Sequence, residues 1–273
     1  MMKLAINPAT TQQGRFEEDV RAYAKAGFEA MELWLGKVDA YLEENHSLED
    51  AAALMDDNGL EAAGACFCGV QCSGDEAEEE SLEQLKRQLA TCQALGADTM
   101  VVIPGVDDDT ITEESFEKVA EGLGRSGEIA QSYGVSLAIE FIQGSPLIGS
   151  VLTATKVARQ SGRENVGVLL DTFHFYVGIS KIHDIYQMRP EELLIVHLND
   201  CRDVHRELAN DSMRVFPGEG VFPLKQILGA IADIGYEGYL SLELFNEEVW
   251  EMNVEEAARL SHEKAEKFMR SLP

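Results

Sequence analysis

Basic residues are scarce in this chain, which has 22 lysines and arginines against 49 aspartates and glutamates and a net charge of −27. Binding to nucleic-acid phosphates or to anionic lipids depends on basic contacts, so this balance argues against both kinds of partner. No apolar run approaches the ~18 residues that span a bilayer. The start of the chain, MMKLAINPATT, also lacks the pattern of a signal peptide. We therefore expect a cytoplasmic protein without nucleic-acid or membrane partners.

Proline and cysteine are few as well. Only 7 prolines and a hydrophobic content of 45% argue against a disordered or fibrous chain. The cysteines number 5, an odd count that argues against a disulfide framework in a chain without a signal peptide. Cys66, Cys68 and Cys72 cluster as CFCGVQC, but neither a second cysteine pair nor histidines accompany them as in a zinc site. We interpret these cysteines as reduced thiols packed at a strand end.

What the chain does contain is a regular alternation of strand-like and helix-like segments. Eight apolar runs of strand length are separated by segments of helical period, and they lie at residues 3–7, 30–35, 62–68, 99–105, 135–142, 166–173, 193–200 and 239–245. Their continuous apolar character is typical of parallel strands that are covered on both faces. Eight strand–helix units match a (β/α)8 TIM barrel, which typically has ~250 residues. We predict an α/β protein with one TIM-barrel domain over residues 1–273.

Local signals mark several helix ends and exclude a nucleotide site. Ser47 and Asp50 indicate a capping box, and Gly59 is placed to end that helix. Another helix is expected to begin near Pro223, and a closing helix over residues 254–272. A doubly wound open sheet would need a glycine-rich first turn, whereas the first turn here is NPATTQQG. The match of GLGRSG (122–127) to G-x-G-x-x-G lies inside a helical stretch, so it does not predict dinucleotide binding.

The last four predicted strands each end in an ionisable residue of metal-ligand type. These residues are Glu140, Asp171, His197 and Glu243. Any one of them is uninformative, because every strand eventually meets a polar residue. Strand ends meet at one mouth of a TIM barrel, however, and three carboxylates gathered there would repel one another without a cation. The set therefore predicts one divalent metal ion, for which manganese, magnesium or cobalt fits best and zinc also fits.

Such a site suggests chemistry on a hydroxyketone. A divalent ion polarises a carbonyl, acidifies the neighbouring C–H bond and stabilises the resulting enediolate. Glu140 and Glu243 come from different strands, so they can remove and return a proton from different directions. Transfer between neighbouring carbons makes an isomerase, return to the opposite face an epimerase, and loss of a β-hydroxyl a dehydratase.

Further candidates surround these four residues. His174 follows the sixth strand and could donate to a substrate oxygen, although a solvated loop histidine explains its position equally well. Arg214, in the segment RVFPGEG (214–220), is a candidate clamp for a substrate oxygen, with Glu219 as its possible partner. Asn199 and Asp200, in the segment VHLND, could orient the ring of His197. Glu32, in the segment MELW, faces either the mouth or the interior of the barrel, and we favour the mouth.

The motifs IEF, LLDTFHF, VHLND, RVFPGEG and LSLELF make the chain resemble the sugar phosphate isomerase/epimerase superfamily, the xylose isomerase-like TIM barrels. The resemblance covers essentially the whole chain and is strong to the inosose isomerase (2-keto-myo-inositol isomerase) branch, which shares an N-x-A-T-T-like start. It implies that Glu140, Asp171, His197 and Glu243 are metal ligands and that Glu140 and Glu243 are the acid/base pair. It also implies that His174 and Arg214 lie near the substrate.

The resemblance implies a metal-dependent isomerase or epimerase that acts on a small polyhydroxy ketone or sugar, with an inosose as the best single substrate. The main alternative is an inosose dehydratase-type lyase. An endonuclease IV-like DNA repair enzyme would need a multi-metal cluster with more histidines and fits poorly with the net charge of −27. A non-catalytic sugar-binding barrel is a further alternative.

Overall fold

The computed structural model describes residues 2–272, leaving aside the side chain of Phe67. Eight parallel strands close into a barrel in the order β1-β10-β7-β6-β5-β4-β3-β2. These strands are β1 (Lys3–Ile6), β2 (Ala30–Trp34), β3 (Glu61–Gln71), β4 (Thr99–Gly105), β5 (Ser136–Glu140), β6 (Val166–Asp171), β7 (Leu193–Leu198) and β10 (Tyr239–Leu242). Each corresponds to one of the eight predicted strands, and the TIM-barrel prediction is confirmed. The two remaining strands, β8 (Asp200–Cys201) and β9 (Arg214–Val215), form a short antiparallel pair outside the barrel.

Helices surround the barrel, and short helices lie in the segments that follow several strands. They are α1 (Phe16–Ala26), α2 (Leu35–Glu43), α3 (Leu48–Asn58), α4 (Glu76–Leu95), α5 (Glu113–Ser132), α6 (Val151–Gln160), α7 (Thr172–Val177), α8 (Ile182–Ile185), α9 (Leu224–Asp233), α10 (Glu247–Trp250) and α11 (Val254–Met269). Short 3-10 helices lie at Pro8–Thr11, Pro190–Glu192, Arg206–Leu208 and Asp211–Met213. Within residues 2–272, no helix is both long enough and apolar enough to cross a membrane.

The predicted helix ends form as the sequence indicates. Ser47 caps α3 and accepts a hydrogen bond from the Asp50 N–H, and Gly59 ends the helix with a φ of +67°. A left-handed φ favours glycine, since a side chain is strained there. The segment Gly122–Gly127 lies within α5, as expected for a stretch that is not a phosphate loop.

The barrel interior is lined by every second residue of the strands. Val101, Ala138, Leu169 and Ile195 pack together from four neighbouring strands and form an apolar cluster separate from the main core. Because side chains alternate between the two faces of a strand, the residues two positions further along face the same interior. Those positions hold Glu140 after Ala138, Asp171 after Leu169 and His197 after Ile195, so the fold turns polar side chains inward at the end of these strands.

Candidate active site

Four side chains converge where β5, β6, β7 and β10 end. Glu140, Asp171, His197 and Glu243 each offer one ligand-type atom, and these four atoms lie within 4.8 Å of one another. All four side chains are buried. Strand pairing accounts for the convergence, because Asp171 is in register with His197 on the neighbouring strand. The predicted set is thus brought together at the carboxyl end of the barrel.

The imidazole of His197 points one nitrogen into this group. Its Nδ1 lies 3.1 Å from a Glu243 oxygen, 3.7 Å from Asp171 and 4.0 Å from Glu140. The atom is buried and makes no hydrogen bond of good geometry among residues 2–272. A buried polar atom normally has a partner. Three carboxylates and an unpaired imidazole nitrogen form a donor set that fits a hard or borderline divalent cation.

Asp171 is held by the backbone of the helix that follows it. Its Oδ1 accepts hydrogen bonds from the Phe173 and His174 N–H groups at 2.6 and 3.1 Å, so it caps the start of α7. The side chain of Asn199 donates to Oδ2 at 3.3 Å. Burial opposes ionisation of this carboxyl, but the Arg214 guanidinium holds its pKa well below the usual range. Asp171 is therefore a fixed carboxylate.

Arg214 lies across the carboxylates with its guanidinium buried. Its Nη1 donates to Asp171 Oδ2 and to Glu243 Oε2, each at 2.7 Å. Nε and Nη2 both donate to Asp211 Oδ1, at 3.0 and 2.6 Å. The guanidinium carbon also lies 4.9 Å from the centre of the Phe173 ring and 5.1 Å from that of Phe245. Arg214 thus lies beside the four converging residues, in the region where the sequence analysis expects it.

The predicted pairing of Arg214 with Glu219 is wrong. Glu219 is exposed and pairs with Lys264 on α11, while Asp211 takes the place beside the arginine. The preceding Gly218 has a φ of +83°, which turns the chain so that position 219 faces outward. Glu219 therefore does not line the candidate site, and its predicted role in substrate binding has no geometric support.

His174 and Glu140 lie side by side. The Nε2 of His174 is 3.8 Å from a Glu140 oxygen, and its Nδ1 accepts a hydrogen bond from the Gln143 N–H at 3.4 Å. Since Nδ1 accepts, a neutral His174 carries its proton on Nε2, the nitrogen nearer Glu140. Burial lowers the pKa of His174, which favours this neutral form. The ring is buried, so it is not a solvated loop histidine.

Electrostatics within the group reflect burial and crowding of like charges. Burial raises the pKa of Glu140 to about 8, helped by the Glu243 and Asp171 carboxylates and opposed by His197. For His197, burial opposes the charged ring, but the Glu243 and Glu32 carboxylates outweigh it and raise its pKa well above the usual value. Glu140 therefore needs a proton or a bound cation to balance its charge, whereas Asp171 is balanced by the Arg214 guanidinium.

Sequence reasoning misplaced the residues around His197. Glu32 lies inside the barrel, fully buried, rather than at the mouth, and contacts the Nε2 side of the ring together with Asn7 and Cys66. Asn199 contacts Asp171 instead of His197. Asp200 accepts backbone hydrogen bonds from Cys201, Gly218 and Phe222, and so holds the loop that follows β9. The alternation of inward-facing positions was the signal for Glu32, which follows Ala30 by two residues.

Cys66, Cys68, Cys72, Cys92 and Cys201 are buried free thiols. Cys66 belongs to the surroundings of the site, where its Sγ lies 3.0 Å from Glu32 Oε2. Burial raises the pKa of the Cys66 thiol well above its ordinary value, so this group is a neutral hydrogen-bond donor.

Comparison with known proteins supports this architecture. An inosose isomerase from Bacillus velezensis is 31% identical over 271 residues, covering 97% of this chain and 96% of the relative. An inosose dehydratase from Geobacillus thermodenitrificans is 26% identical, covering 84% of this chain and 81% of the relative. The crystal structure of the IolI protein with a bound zinc atom superposes with a TM-score of 0.86 at 28% identity, covering 98% and 96% of the two chains.

The model of a protein family described as the xylose isomerase-like TIM barrel matches residues 20–271. The resemblance predicted from the motifs at the strand ends is thus confirmed. The chain belongs to the xylose isomerase-like TIM barrel family.

Proposed function

We propose that this protein is a divalent-metal-dependent sugar isomerase or epimerase that moves a proton between neighbouring carbons of a polyhydroxy ketone, with an inosose as its substrate. The observation that carries the proposal is the buried set of Glu140, Asp171, His197 and Glu243, whose ligand-type atoms lie within 4.8 Å of one another. The similarity to inosose isomerase over nearly the full length of both chains supports the choice of substrate.

These four side chains would hold the cation, for which manganese, magnesium, cobalt and zinc are the candidates. A cation held there would supply the Lewis acid that polarises the carbonyl of a hydroxyketone. Zinc has the additional support of the IolI crystal structure, which has a bound zinc atom. The unpaired Nδ1 of His197 and the three surrounding carboxylates supply the donors.

The remaining chemistry belongs to the side chains. Glu140 and Glu243 approach the centre of the site from β5 and from the residue after β10, which suits removal of a proton at one carbon and its return at the next. Without a cation, burial and the neighbouring carboxylates raise the pKa of Glu140 to about 8, and a cation bound beside it would lower this pKa and leave Glu140 as a base. His174 presents its Nε2 beside Glu140 and is placed to donate to a substrate oxygen.

Arg214 orients the substrate and limits its freedom. Its guanidinium is fixed by Asp211 on one edge and by Asp171 and Glu243 on the other, so it presents a rigid positive charge next to the site. Developing negative charge on a substrate oxygen is stabilised by such a preorganised donor. Burial of the whole set also excludes water from the reacting atoms.

The test is hydrogen exchange catalysed by the metal-loaded protein. Protein stripped with a chelator and reloaded with Mn²⁺, Mg²⁺, Co²⁺ or Zn²⁺ is incubated with scyllo-inosose in heavy water and followed by ¹H NMR. We expect cation-dependent deuterium uptake beside the carbonyl and the appearance of an isomeric inosose. No uptake with any of the four cations, across inososes and linear ketoses, would refute the proposal.

A variant pair separates catalysis from simple binding. Glu140→Gln removes the proposed acid/base group, and we expect the exchange rate to fall by about 10²–10⁴-fold. Glu164→Gln, an exposed position just before β6 at the opposite end of the barrel, is the matched control and should leave the rate unchanged. A non-catalytic sugar-binding barrel would instead show the same exchange rate in the wild type and in both variants.

A lyase is the second candidate, because the chain is also similar to an inosose dehydratase. Loss of water from the same enediolate would give a product with a conjugated carbonyl, which absorbs in the ultraviolet. Absorbance that grows together with deuterium uptake would favour the lyase, whereas uptake without absorbance favours the isomerase. Nicking of abasic-site DNA distinguishes an endonuclease, against which the net charge of −27 argues.

A further inference from the structure

A second carboxylate lies behind the imidazole of His197, on the side away from the proposed cation. Glu32 is fully buried, and its two oxygens are 3.1 and 3.2 Å from His197 Nε2. The proposed reaction makes no use of this charge. Since a buried carboxylate is costly without partners, its contacts show what it does.

The direction of the hydrogen bonds at Glu32 can be worked out from Asn7. The Oδ1 of Asn7 accepts the Ala9 N–H at 2.9 Å, and only the oxygen of an amide group can accept. The amide nitrogen of Asn7 must then be the atom 3.1 Å from Glu32 Oε1, which it can only donate to. The Cys66 thiol donates to Oε2 at 3.0 Å. Both oxygens of Glu32 therefore act as acceptors.

We propose that Glu32, held by Asn7 and Cys66, fixes the proton of His197 on Nε2 and thereby keeps Nδ1 free as a cation ligand. An imidazole that binds a cation is neutral, with one protonated and one unprotonated nitrogen, and an acceptor-only carboxylate at Nε2 selects the form with the proton there. The other nitrogen, Nδ1, is the atom that lies among the Glu140, Asp171 and Glu243 oxygens without a hydrogen bond of its own. Glu32 is a positioning residue.

This inference rests on the cation site of the proposed function and not on the reaction. Asn7 itself has limited freedom, because its Oδ1 caps the 3-10 helix Pro8–Thr11 and its nitrogen also lies 2.9 Å from Cys66 Sγ. The amide therefore cannot turn over without losing the helix cap. A series of hydrogen bonds thus links the Ala9 N–H, through Asn7 and Glu32, to His197. It fixes which ring nitrogen of this proposed ligand carries the proton.

Glu32→Gln tests the inference at constant volume. Its amide oxygen would be held by the donor of Asn7, which leaves the amide N–H₂ facing Cys66 and His197. His197 Nε2 would then face one acceptor and one donor in place of two acceptors, so the form with its proton on Nε2 would lose most of its advantage over the form with the proton on Nδ1, the ligand nitrogen. We expect the affinity for Zn²⁺ and Mn²⁺ to fall by about 10- to 100-fold, the usual effect of losing the partner of a ligating histidine.

Affinity is measured by competition with a chelator on the metal-free proteins, with circular dichroism to verify folding. Glu61→Gln is the matched control, because Glu61 is an exposed residue that accepts a hydrogen bond from Tyr239 far from His197. Equal affinities of Glu32→Gln and the wild type would overturn the inference and leave the proposed function intact. A wild-type protein that binds no divalent cation would overturn both.

The position of the His197 proton can also be measured in the wild-type protein, so this second test does not require a variant that folds. In ¹⁵N-labelled, zinc-loaded protein, histidine ring spectra report which nitrogen carries a proton, and His197 is identified by the zinc-dependent shift of one of its nitrogens. We expect a proton on Nε2 and a zinc-dependent shift at Nδ1. A ring with an unprotonated Nε2, or with zinc bound at Nε2, would contradict the proposed role of Glu32.

Discussion

Replacing Arg214 by methionine should destabilise the metal-free protein and make its stability strongly dependent on cations. The side chain is 1% exposed, and one nitrogen lies 2.7 Å from oxygens of both Asp171 and Glu243. Methionine keeps much of the volume between Phe173 and Phe245 but removes the charge and the hydrogen bonds that the guanidinium donates. Two carboxylates then face each other across the site without this neutralising group.

The magnitude follows from the geometry. Two unit charges about 5 Å apart repel by about 3 kcal/mol at an effective dielectric constant of 20. Removing one partner of a buried ion pair typically costs about 3–5 kcal/mol. For a chain of 273 residues, such a loss lowers Tm by roughly 5–9 °C. We therefore expect a drop of this size for Arg214→Met when it is measured by calorimetry in the presence of a chelator.

Addition of Mn²⁺ should restore more stability to the variant than to the wild type. A cation at ~100 times its Kd stabilises any protein that binds it only when folded by about 2.7 kcal/mol. In the variant the cation also relieves the repulsion between Asp171 and Glu243, so its effect on Tm should be larger by several degrees. The control is Arg202→Met, because Arg202 forms an exposed ion pair with Glu248 and should lose less than about 1 kcal/mol.

Two results would refute this reasoning. A metal-free Arg214→Met protein as stable as Arg202→Met would mean that the two carboxylates do not depend on the guanidinium. An equal rise of Tm on addition of Mn²⁺ in wild type and variant would mean that the cation does not share its carboxylate partners with Arg214.

Two further predictions concern the framework of the barrel. Burial raises the pKa of Asp19 from 3.8 to about 6 despite the Lys37 ammonium 2.6 Å away; the folded state thus binds this proton more tightly than the unfolded state. Relative to Asp19→Asn, the wild-type free energy of unfolding should therefore fall by about 2 kcal/mol between pH 4 and pH 7 in urea titrations, and a pH-independent difference would contradict this. An added Cβ at Gly220 would lie 2.2 Å from the Cys201 carbonyl oxygen, so Gly220→Ala should displace the loop and cost about 1–3 kcal/mol. Gly229→Ala is its control, since nothing lies within 4 Å of that added Cβ, and equal losses in both variants would show that the loop tolerates the clash.

The barrel and the four converging residues were predictable because they depend on regular, repeated geometry. Parallel strands with both faces covered have continuous apolar sequences, and all their carboxyl ends lie on one side. Glu140, Asp171, His197 and Glu243 end consecutive apolar runs, so their proximity follows once the barrel is recognised. No knowledge of loop conformation is needed for this step.

The surroundings of Arg214 were not predictable in the same way. The segment from β8 to α9 is shaped by hydrogen bonds that the Asp200 carboxylate accepts from the backbone N–H groups of Cys201, Gly218 and Phe222, which are up to 22 residues away in the chain. Arg214 pairs with Asp211 rather than with Glu219 because these hydrogen bonds close the loop and because the chain makes a left-handed turn at Gly218. Sequence proximity favoured Glu219, whereas the loop geometry selects Asp211.

The direction of the Glu32 side chain follows from strand alternation, and its partner follows from its burial. Glu32 follows Ala30 by two residues, just as Glu140 follows Ala138, so the alternation of a strand already turns it into the barrel. Exposure then separates their roles, because Glu140 is 8% exposed whereas Glu32 is 0% exposed and must find a partner within the protein. The imidazole of His197 is that partner, with its second nitrogen directed at the carboxylates of the site. Glu32 is therefore expected to act on a ligand of the proposed cation rather than on the substrate.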